Sequence, residues 1–303
     1  MYKFFILLIV SGFLPVFSFG QNHKPVPVLI VDGFSNHDWK QTSALTKQIL
    51  EKSGLFKVDI TTVPTDSMQQ KAWKPAFGKY AVIIQNTNNI QNPGLRWPRS
   101  AELQLESYVK NGGGLYVLHS ANNAYPHWKE YDKMIGLGWR PATTGYALEI
   151  DSNKNIIRIP PGEGKSTGHG ARFNAIIQIL SRHAITKDYP AQWKTANTEV
   201  YNYPRGPREN LTILSFAYDS TATHRMWPVE WVVHYGKGRV YSSSMGHLWR
   251  GEIYPDAYRC AGYQTTMIRV AEWLATGKVS YKIPEDFPTK DSTSLRSETG
   301  YKN

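Results

Sequence analysis

Histidines stand beside small and polar residues at the ends of three predicted strands. His37 lies in "SNHDW", His119 ends the run "GLYVLH", and His247 follows "GRVYSSSMG". An imidazole can act as acid, base or metal ligand near neutral pH, because its ordinary pKa is close to 6.5. A histidine at a strand end is often only a structural hydrogen-bonding group, so the signal is the repetition. The three positions together predict one cleft for catalysis or metal binding.

The sequence leaves the chemistry of that cleft open. Ser120 in "LHSAN" lacks the Gly-x-Ser-x-Gly pattern of a nucleophilic serine. No His-Glu-x-x-His spacing marks a zinc protease, although histidines and carboxylates from separate loops could still converge on a divalent metal such as zinc. The sequence therefore does not identify a cofactor, and zinc is the divalent metal that we consider.

Short apolar runs alternate with amphipathic helices over the first half of the chain, which predicts a doubly wound parallel sheet. Such runs are apolar throughout because helices cover both faces of a parallel sheet. Ligands bind beyond the carboxyl ends of these strands, which is where His37 and His119 stand. The four predicted strands are "VPVLIVDGF", "FKVDITTV", "YAVIIQNTN" and "GLYVLHS", and the helices between them include "HDWKQTSALTKQILEKSG" and "SAELQLESYVKNGGG".

The pattern changes after residue 140 and predicts an antiparallel extension. A hairpin is expected around Asn153–Asn155, and "LTILSFAY", "VEWVVHY" and "GRVYSSS" are predicted strands. A closing helix over "YQTTMIRVAEWLATG" should end at Gly277. Its predicted inward-facing residues are Tyr263, Met267, Val270, Ala271 and Leu274.

Composition excludes several classes of protein. The chain has 303 residues, 41% of them hydrophobic, which is enough for a sizeable core. Its net charge of +11 is spread among acidic residues without a dense basic run, so a nucleic-acid partner is not expected. Cys260 is the single cysteine, which excludes an intramolecular disulfide and a cysteine-based metal site.

The first twenty residues, "MYKFFILLIVSGFLPVFSFG", have the layout of a secretory signal peptide, with cleavage expected before Gln21. A membrane anchor is the alternative, but Ser11, Gly12 and Pro15 interrupt an already short apolar run. We therefore expect a periplasmic or secreted protein that is not embedded in a membrane. Its domain should span residues 25–280, followed by a polar tail over 281–303.

Motifs in a fixed order resemble the ThuA-like, trehalose-utilisation family. They are "SNHDW", "VKNGGGLYVLHSAN", "WKEYDKMIG", "SRHAITKDYPAQWKTANTEVYN", "PVEWVVHYGKGRVYSSSMGH" and "TTMIRVAEWLATGKV", over about residues 26–280. The resemblance implies a flavodoxin-like sheet similar to class I glutamine amidotransferases. Those enzymes carry a cysteine where this chain has His119 and Ser120, so glutaminase activity is not implied. The chain departs from the family at Gly138–Arg140, where a Phe-x-x-His stretch is expected, and at His183–Ala184, which often reads His-Pro.

The resemblance implies carbohydrate breakdown, on sugars that a partner dehydrogenase has oxidised to 3-keto forms. A ketone at C3 acidifies the hydrogen on C2, so a base could remove it and the C1 substituent could be eliminated or hydrolysed. Two alternatives remain open: a sugar-binding protein without catalysis, and a metal-dependent hydrolase of other substrates.

In this interpretation, each candidate residue is given a role from its position in the sequence. His37, His119 and His247 form the pocket floor as acid–base groups or metal ligands, and Glu199 is the candidate base. Tyr201 and Arg140 are candidate hydrogen-bond donors, and Trp128 and Trp249 are candidate walls for a sugar ring. The remaining substrate-binding candidates are Asp38, Ser120 and Asn122.

Overall fold

The computed structural model describes residues 24–297. The predicted signal peptide over residues 1–20 lies outside the described residues, as does the end of the tail after residue 297. Among the described helices, none is long and apolar enough to cross a membrane.

The described residues form fourteen strands and six α-helices in one chain order. The strands are β1 (Val26–Asp32), β2 (Phe56–Thr62), β3 (Val82–Gln85), β4 (Gly114–Val117), β5 (Tyr146–Ile150), β6 (Ile156–Ile159), β7 (Gly168–His169), β8 (Ile176–Ile179), β9 (Gln192–Lys194), β10 (Tyr201–Asn202), β11 (Arg205–Gly206), β12 (Leu211–Tyr218), β13 (Met226–Tyr235) and β14 (Gly238–Ser243). The helices are α1 (Trp39–Lys52), α2 (Ser67–Ala72), α3 (Arg99–Lys110), α4 (Lys129–Ile135), α5 (Asp256–Arg259) and α6 (Ala261–Thr276). Short 3-10 helices span Phe77–Lys79 and His119–Asn123.

A mixed sheet of twelve described strands organises the fold. Its first part is parallel, in the order β2-β1-β3-β4-β14. Its second part, β13-β12-β8-β9, is antiparallel, and the β5–β6 hairpin pairs with β13 near Met226. The predicted α/β class with a parallel sheet and an antiparallel extension is confirmed at this level.

The parallel strands are apolar throughout because their alternate side chains enter two different hydrophobic clusters. Val28 and Ile30 of β1 pack in one cluster with residues of α1 and α6. Leu29 and Val31 of the same strand pack in a second cluster with residues of α3 and α4. Burial of each such aliphatic side chain contributes about 1.5–3 kcal/mol, so neither face tolerates a polar replacement.

Helix boundaries follow the capping residues in the sequence. The Asp38 carboxylate accepts a hydrogen bond from the Gln41 N–H and so caps the start of α1. Helix α6 ends at Gly277, whose φ of 74° is in the left-handed region that favours glycine. The five residues predicted to face inward on α6 are all buried.

Two features differ from the expectations. Helix α4, which packs Tyr131 and Met134 into the second cluster, was not predicted from the sequence. Residues 281–297, expected as a polar tail beyond the domain, instead pack back on it. The Phe287 ring lies 5.4 Å from that of Trp193, and the Arg296 guanidinium donates to the side-chain oxygen of Gln264 on α6 at 2.8 Å.

Candidate active site: a buried histidine–glutamate cluster

Three loops at one edge of the sheet bring the predicted histidines together. His37 follows β1, His119 follows β4, and His247 follows β14. These strands run parallel within one sheet, so their carboxyl ends open on the same side. The site is therefore a direct consequence of strand direction and strand order.

One nitrogen atom of each of His37, His119 and His247 lies within 4.8 Å of the other two. The ring centroids are 4.7–5.1 Å apart, and no side chain in the trio is more than 8% exposed. Nitrogen ligands of one tetrahedral zinc ion would stand about 3.4 Å apart, given metal–nitrogen distances of about 2.0–2.1 Å. The cluster is slightly wider than that, so small ring movements would let it hold a single ion.

Glu199 supplies a buried carboxylate against the histidines. Its Oε1 lies 2.8 Å from Nδ1 of His247, and its Oε2 lies 3.6 Å from Nε2 of His119. A further imidazole, that of His169, approaches Oε1 within 3.4 Å. Strand β7 pairs with β10 and so places His169 opposite Tyr201. This pairing brings His169 close to the Glu199 carboxylate, although the two residues are thirty positions apart in the chain.

His119 is held in one orientation by the backbone. Its Nδ1 lies 2.8 Å from the Ser244 carbonyl oxygen, which can only accept, so Nδ1 carries the proton and Nε2 has the lone pair. That buried Nε2 has no hydrogen-bond partner among the described residues. The φ of His119 is 40°, a left-handed conformation that costs about 1–3 kcal/mol in a residue other than glycine.

His37 and His247 are also positioned by their surroundings. The Asn36 side-chain oxygen accepts a hydrogen bond from Asn88 and lies 2.9 Å from Nδ1 of His37, which fixes the proton there. Gly246 precedes His247 with a φ of 97°, and a Cβ there would lie 2.2 Å from the Tyr263 hydroxyl. Only glycine lets the chain turn His247 into the cluster.

Burial keeps two of the imidazoles, those of His37 and His119, neutral. It lowers the pKa of His37 to about 4, helped by the neighbouring charge of His247 and opposed by Glu199. It also lowers the pKa of His119 well below its ordinary value. Burial and the charge of Glu199 raise the pKa of the Tyr201 phenol, which keeps its proton. Neutral imidazoles offer the lone pairs that a metal ion needs.

The fit to a metal rests on buried nitrogen atoms without partners. Besides Nε2 of His119, Nδ1 of His247 is buried without an aligned hydrogen bond, although Glu199 is close to it. Unpaired buried polar atoms cost about 1–3 kcal/mol each and usually have an ion or water in functional sites. Three histidine nitrogens with a nearby carboxylate form a donor set that suits zinc.

Three other predicted residues lie at or near the cluster. The Tyr201 ring centroid is 5.6 Å from that of His119. Trp249 is 44% exposed, stacks on His247 at 5.8 Å and meets the edge of His37 at 5.2 Å, so it forms an outer wall. Ser120 is buried nearby, and its hydroxyl lies 3.4 Å from that of Ser35. Within the described residues, no histidine hydrogen-bonds to Ser120.

Four predicted substrate-binding residues have structural partners instead. Asp38 caps α1, and the Asn122 amide donates to the Ser243 carbonyl at 3.0 Å. Trp128 is buried and donates to Glu106, and Arg140 is 2% exposed and pairs with Asp132 at 2.6 Å. Their contacts explain these four residues without a ligand, and any part in substrate binding stays a prediction.

Sequence reasoning did not place His169 or Trp139 in the site. The Trp139 ring lies 5.5 Å from that of His169 and 5.3 Å from that of Tyr201. Neither residue follows a predicted strand, so the rule that located the other histidines gave no signal for them. The sequence indicated this part of the site only through the loop 138–140, where the chain departs from the expected family motif.

Comparison with known proteins identifies the family of this chain. The family model described as "Trehalose utilisation" (ThuA) matches residues 27–271. A ThuA-like protein of Parabacteroides merdae has a similar structure, with a TM-score of 0.84 and 30% identity over 92% of this chain and 100% of that one. A ThuA-like protein of Bacteroides uniformis shares the fold at a TM-score of 0.56 and 19% identity, over 86% and 98% of the two chains. No protein of curated function matches.

Proposed function

The chain belongs to the ThuA (trehalose utilisation) family, and from that premise we propose that it is an enzyme of carbohydrate breakdown. Its substrates are glycosides oxidised to a ketone at C3. The observation that carries the proposal is the buried Glu199 carboxylate, which lies against His119, His169 and His247 beside imidazole nitrogens without partners. A base, protonated donors and a cation site then share one cleft.

Glu199 is the base in this mechanism. Its carboxylate takes the proton from C2, and the electron pair of the C–H bond delocalises onto the C3 oxygen as an enolate. The enolate then re-forms the C3 ketone and a C1–C2 double bond as the C1–O bond breaks. The leaving oxygen keeps the electron pair of the C1–O bond and takes a proton, so that an unsaturated keto sugar remains. Addition of water to the double bond completes a net hydrolysis. A placed base typically gives about 10²–10⁴-fold in rate.

His37, His119 and His247 would hold a divalent cation such as zinc in this proposal. When bound, such an ion polarises a carbonyl oxygen and stabilises the negative charge that develops there. The residues themselves keep Glu199 close to the substrate and exclude water from it, since all four side chains are buried. The Ser244 carbonyl keeps the Nε2 lone pair of His119 turned into the cleft.

Tyr201 and His169 are the proton donors on the other side of Glu199. The Tyr201 phenol remains protonated because burial raises its pKa, so it can hydrogen-bond to the enolate oxygen. His169 is the more exposed of the two and lies 3.4 Å from Glu199, which allows it to return the proton to the leaving oxygen. A preorganised donor at a developing oxyanion contributes about 3–4 kcal/mol.

The experiment that tests this function is product analysis by mass spectrometry and NMR. The chain from Gln21 onward, without the predicted signal peptide, is given a panel of 3-keto disaccharides and their unoxidised parents, with and without a chelator. Cleavage of the keto forms alone, lost on chelation and restored by zinc, is the expected result. Metal-dependent cleavage of unoxidised esters or amides instead would favour the hydrolase alternative. Sugar-induced thermal stabilisation without cleavage would leave only a binding protein.

We also propose a flavodoxin-like, doubly wound arrangement for the parallel strands. The strand order β2-β1-β3-β4-β14 corresponds to the order 2-1-3-4-5 of that fold. The two hydrophobic clusters, one with α1 and α6 and one with α3 and α4, support it. An experimental structure that placed all four helices on one face would overturn this point.

Export and a partner enzyme are further parts of the proposal. The apolar leader is typical of a signal peptide, so the mature protein should begin at Gln21 in the periplasm or the medium. N-terminal sequencing of protein from the native cell checks this directly. A sugar 3-dehydrogenase would have to supply the ketone, because the proposed reaction starts from a sugar that is already oxidised at C3.

A further inference from the structure

A cavity of about 410 Å³ opens beside the histidine–glutamate cluster. It lies between the loop after β3 and the loop 138–141, and Trp139 forms one wall. A volume of that size suits a small ligand or one ring of a larger substrate. Arg140, predicted from the sequence as a candidate hydrogen-bond donor, lines this cavity, but the mechanism proposed above does not use it.

Aromatic contacts connect the cavity to the cluster. The Trp139 ring, which lines the cavity, lies 5.3 Å from Tyr201 and 5.5 Å from His169. Asn123, on the far side, ends the 3-10 helix that begins at His119. Trp139 is therefore a wall shared by the cavity and the rings around Glu199.

The lining disfavours a second sugar ring. Pro93, Pro126 and Pro141 line the cavity and have no N–H to offer, and Ile90 adds an apolar surface. Hydroxyls of a second sugar ring that face these four residues would lose hydrogen bonds, at about 1–3 kcal/mol for each group left unpaired. A flat aromatic ring could stack on Trp139 without that cost.

Polar groups at the cavity match a phenolic oxygen. No acidic side chain lines it among the described residues, and its polar lining consists of Asn89, Arg96, Asn123, His127, Arg140 and Ser166. The Asn123 side chain is 8% exposed, and its Oδ1 has no hydrogen-bond partner among the described residues. Positive charge favours a departing phenolate, and an unpaired buried acceptor favours a hydroxyl donor on the ligand.

We propose that the cavity between Trp139 and Asn123 is the leaving-group subsite and that it takes an aromatic aglycone. This inference rests on the proposed function for its place in catalysis, because the ring bound here is the group expelled from C1. It adds the substrate class: aryl glycosides, in the 3-keto form, in preference to disaccharides.

Binding to the unoxidised compounds tests the subsite without any turnover. We expect 4-nitrophenyl β-glucoside to bind at least tenfold more tightly than methyl β-glucoside in isothermal titration calorimetry. Trp139→Ala should weaken the aryl glucoside about tenfold and leave the methyl glucoside within twofold. Tyr218→Ala, an exposed aromatic outside the cavity, is the matched control and should change neither. Equal binding of the two glucosides would overturn the proposal.

A second variant covers the case in which Trp139→Ala does not fold. Arg96 is exposed, so Arg96→Ala should fold, and it should weaken binding of the 4-nitrophenolate anion several-fold. The exposed Arg158→Ala is its control. No effect of Arg96→Ala, or the same effect for both, would contradict the subsite. Aryl binding without cleavage of any 3-keto glycoside would refute the proposed reaction and keep the subsite.

Discussion

Two buried glutamates, Glu230 and Glu199, have opposite surroundings. Glu230 on β13 is fully buried, and each of its oxygens accepts from a hydroxyl: Ser215 at 2.5 Å and Tyr241 at 2.8 Å. Burial raises its pKa. Glu199 is 3% exposed, but its neighbours are imidazoles whose nitrogen atoms are partly without partners. One carboxylate is satisfied within the protein, whereas the other lies among groups that need a further ligand.

The difference shows that burial alone does not mark a functional site. A buried carboxylate with complete hydrogen bonding fixes the core, because its polar atoms have no unmet requirement. A buried carboxylate beside unpaired nitrogens makes a site that a cation, a water or a substrate completes. The variants below separate these two situations.

The largest effect is expected from Glu199→Gln. The amide cannot take a proton, so kcat/KM on a 3-keto glycoside should fall about 10²–10⁴-fold. The thermal midpoint should move by only a few degrees. Glu230→Gln is the matched change at the other carboxylate and should retain full activity per folded molecule. Equal activity losses in both variants would remove the distinction between the two glutamates.

Zinc stabilisation should depend on the site and not on Glu230. At a zinc concentration one hundred times the Kd, binding adds about 2.7 kcal/mol to the free energy of unfolding, which raises the thermal midpoint by roughly 5 °C. His119→Ala should abolish both the zinc-induced rise in the thermal midpoint and the turnover of substrate. The thermal midpoint of the apo variant should stay within a few degrees of the wild-type value. Glu230→Gln should keep the rise. A large loss of apo stability in His119→Ala would make His119 structural.

Glu230→Gln should instead cost stability. Its new NH₂ group would face a hydroxyl that now donates to the carboxylate, and the lost pairing should lower the free energy of unfolding by about 1–3 kcal/mol. Urea denaturation of the two Gln variants measures this. A Glu199→Gln variant that is destabilised as much as Glu230→Gln would mean that Glu199 also serves the core.

The smallest effect concerns His183, which resembles His37 in pKa but not in role. Burial, then the charge of His234, lowers the pKa of His183 to about 4, and its Nδ1 accepts the Ile185 N–H at 3.2 Å. Between about pH 4 and 6.5 the unfolded chain binds more protons here than the folded one, so stability falls as the pH drops through that window. Above about pH 6.5, the contribution of His183 to the free energy of unfolding does not change with pH.

His183→Gln should therefore flatten the stability profile slightly between about pH 4 and 6.5, with activity at about pH 7 unchanged. Urea titrations at several pH values in this range provide the measurement. An unchanged profile would show that His183 is exposed enough to titrate normally in the folded state. A loss of activity would place His183 in contact with the site.

Much of the fold could be predicted from local sequence. Apolar runs such as "VLIVD" predicted the parallel strands, and the Gly277 stop predicted the end of α6, because burial on both faces and capping act over a few residues. Helix α4 was not predicted, since its seven residues give too short a pattern. The packing of residues 281–297 was also missed, because Phe287 and Trp193 meet only through tertiary contact.

Part of the site was predictable for the same reason. A histidine directly after a strand is placed by that strand, which is why His37, His119 and His247 could be grouped from their sequence positions alone. The tryptophans were harder to tell apart. Trp128 and Trp249 both lie near polar residues, but only Trp249 is exposed beside the histidines, while Trp128 is 3% exposed in the core.

By itself, the sequence determined the alternation of strands and helices, the family, and which strand ends carry histidine. These depend on side-chain periodicity, turn residues and short motifs, which are local properties of the chain. Only the tertiary structure decided that Glu199 meets three of the imidazoles, that His169 and Trp139 join them, and that Arg140 is occupied by Asp132. The physical reason is that partners for a buried polar group come from distant parts of the chain, so only the packed structure shows which groups are satisfied and which remain for a ligand.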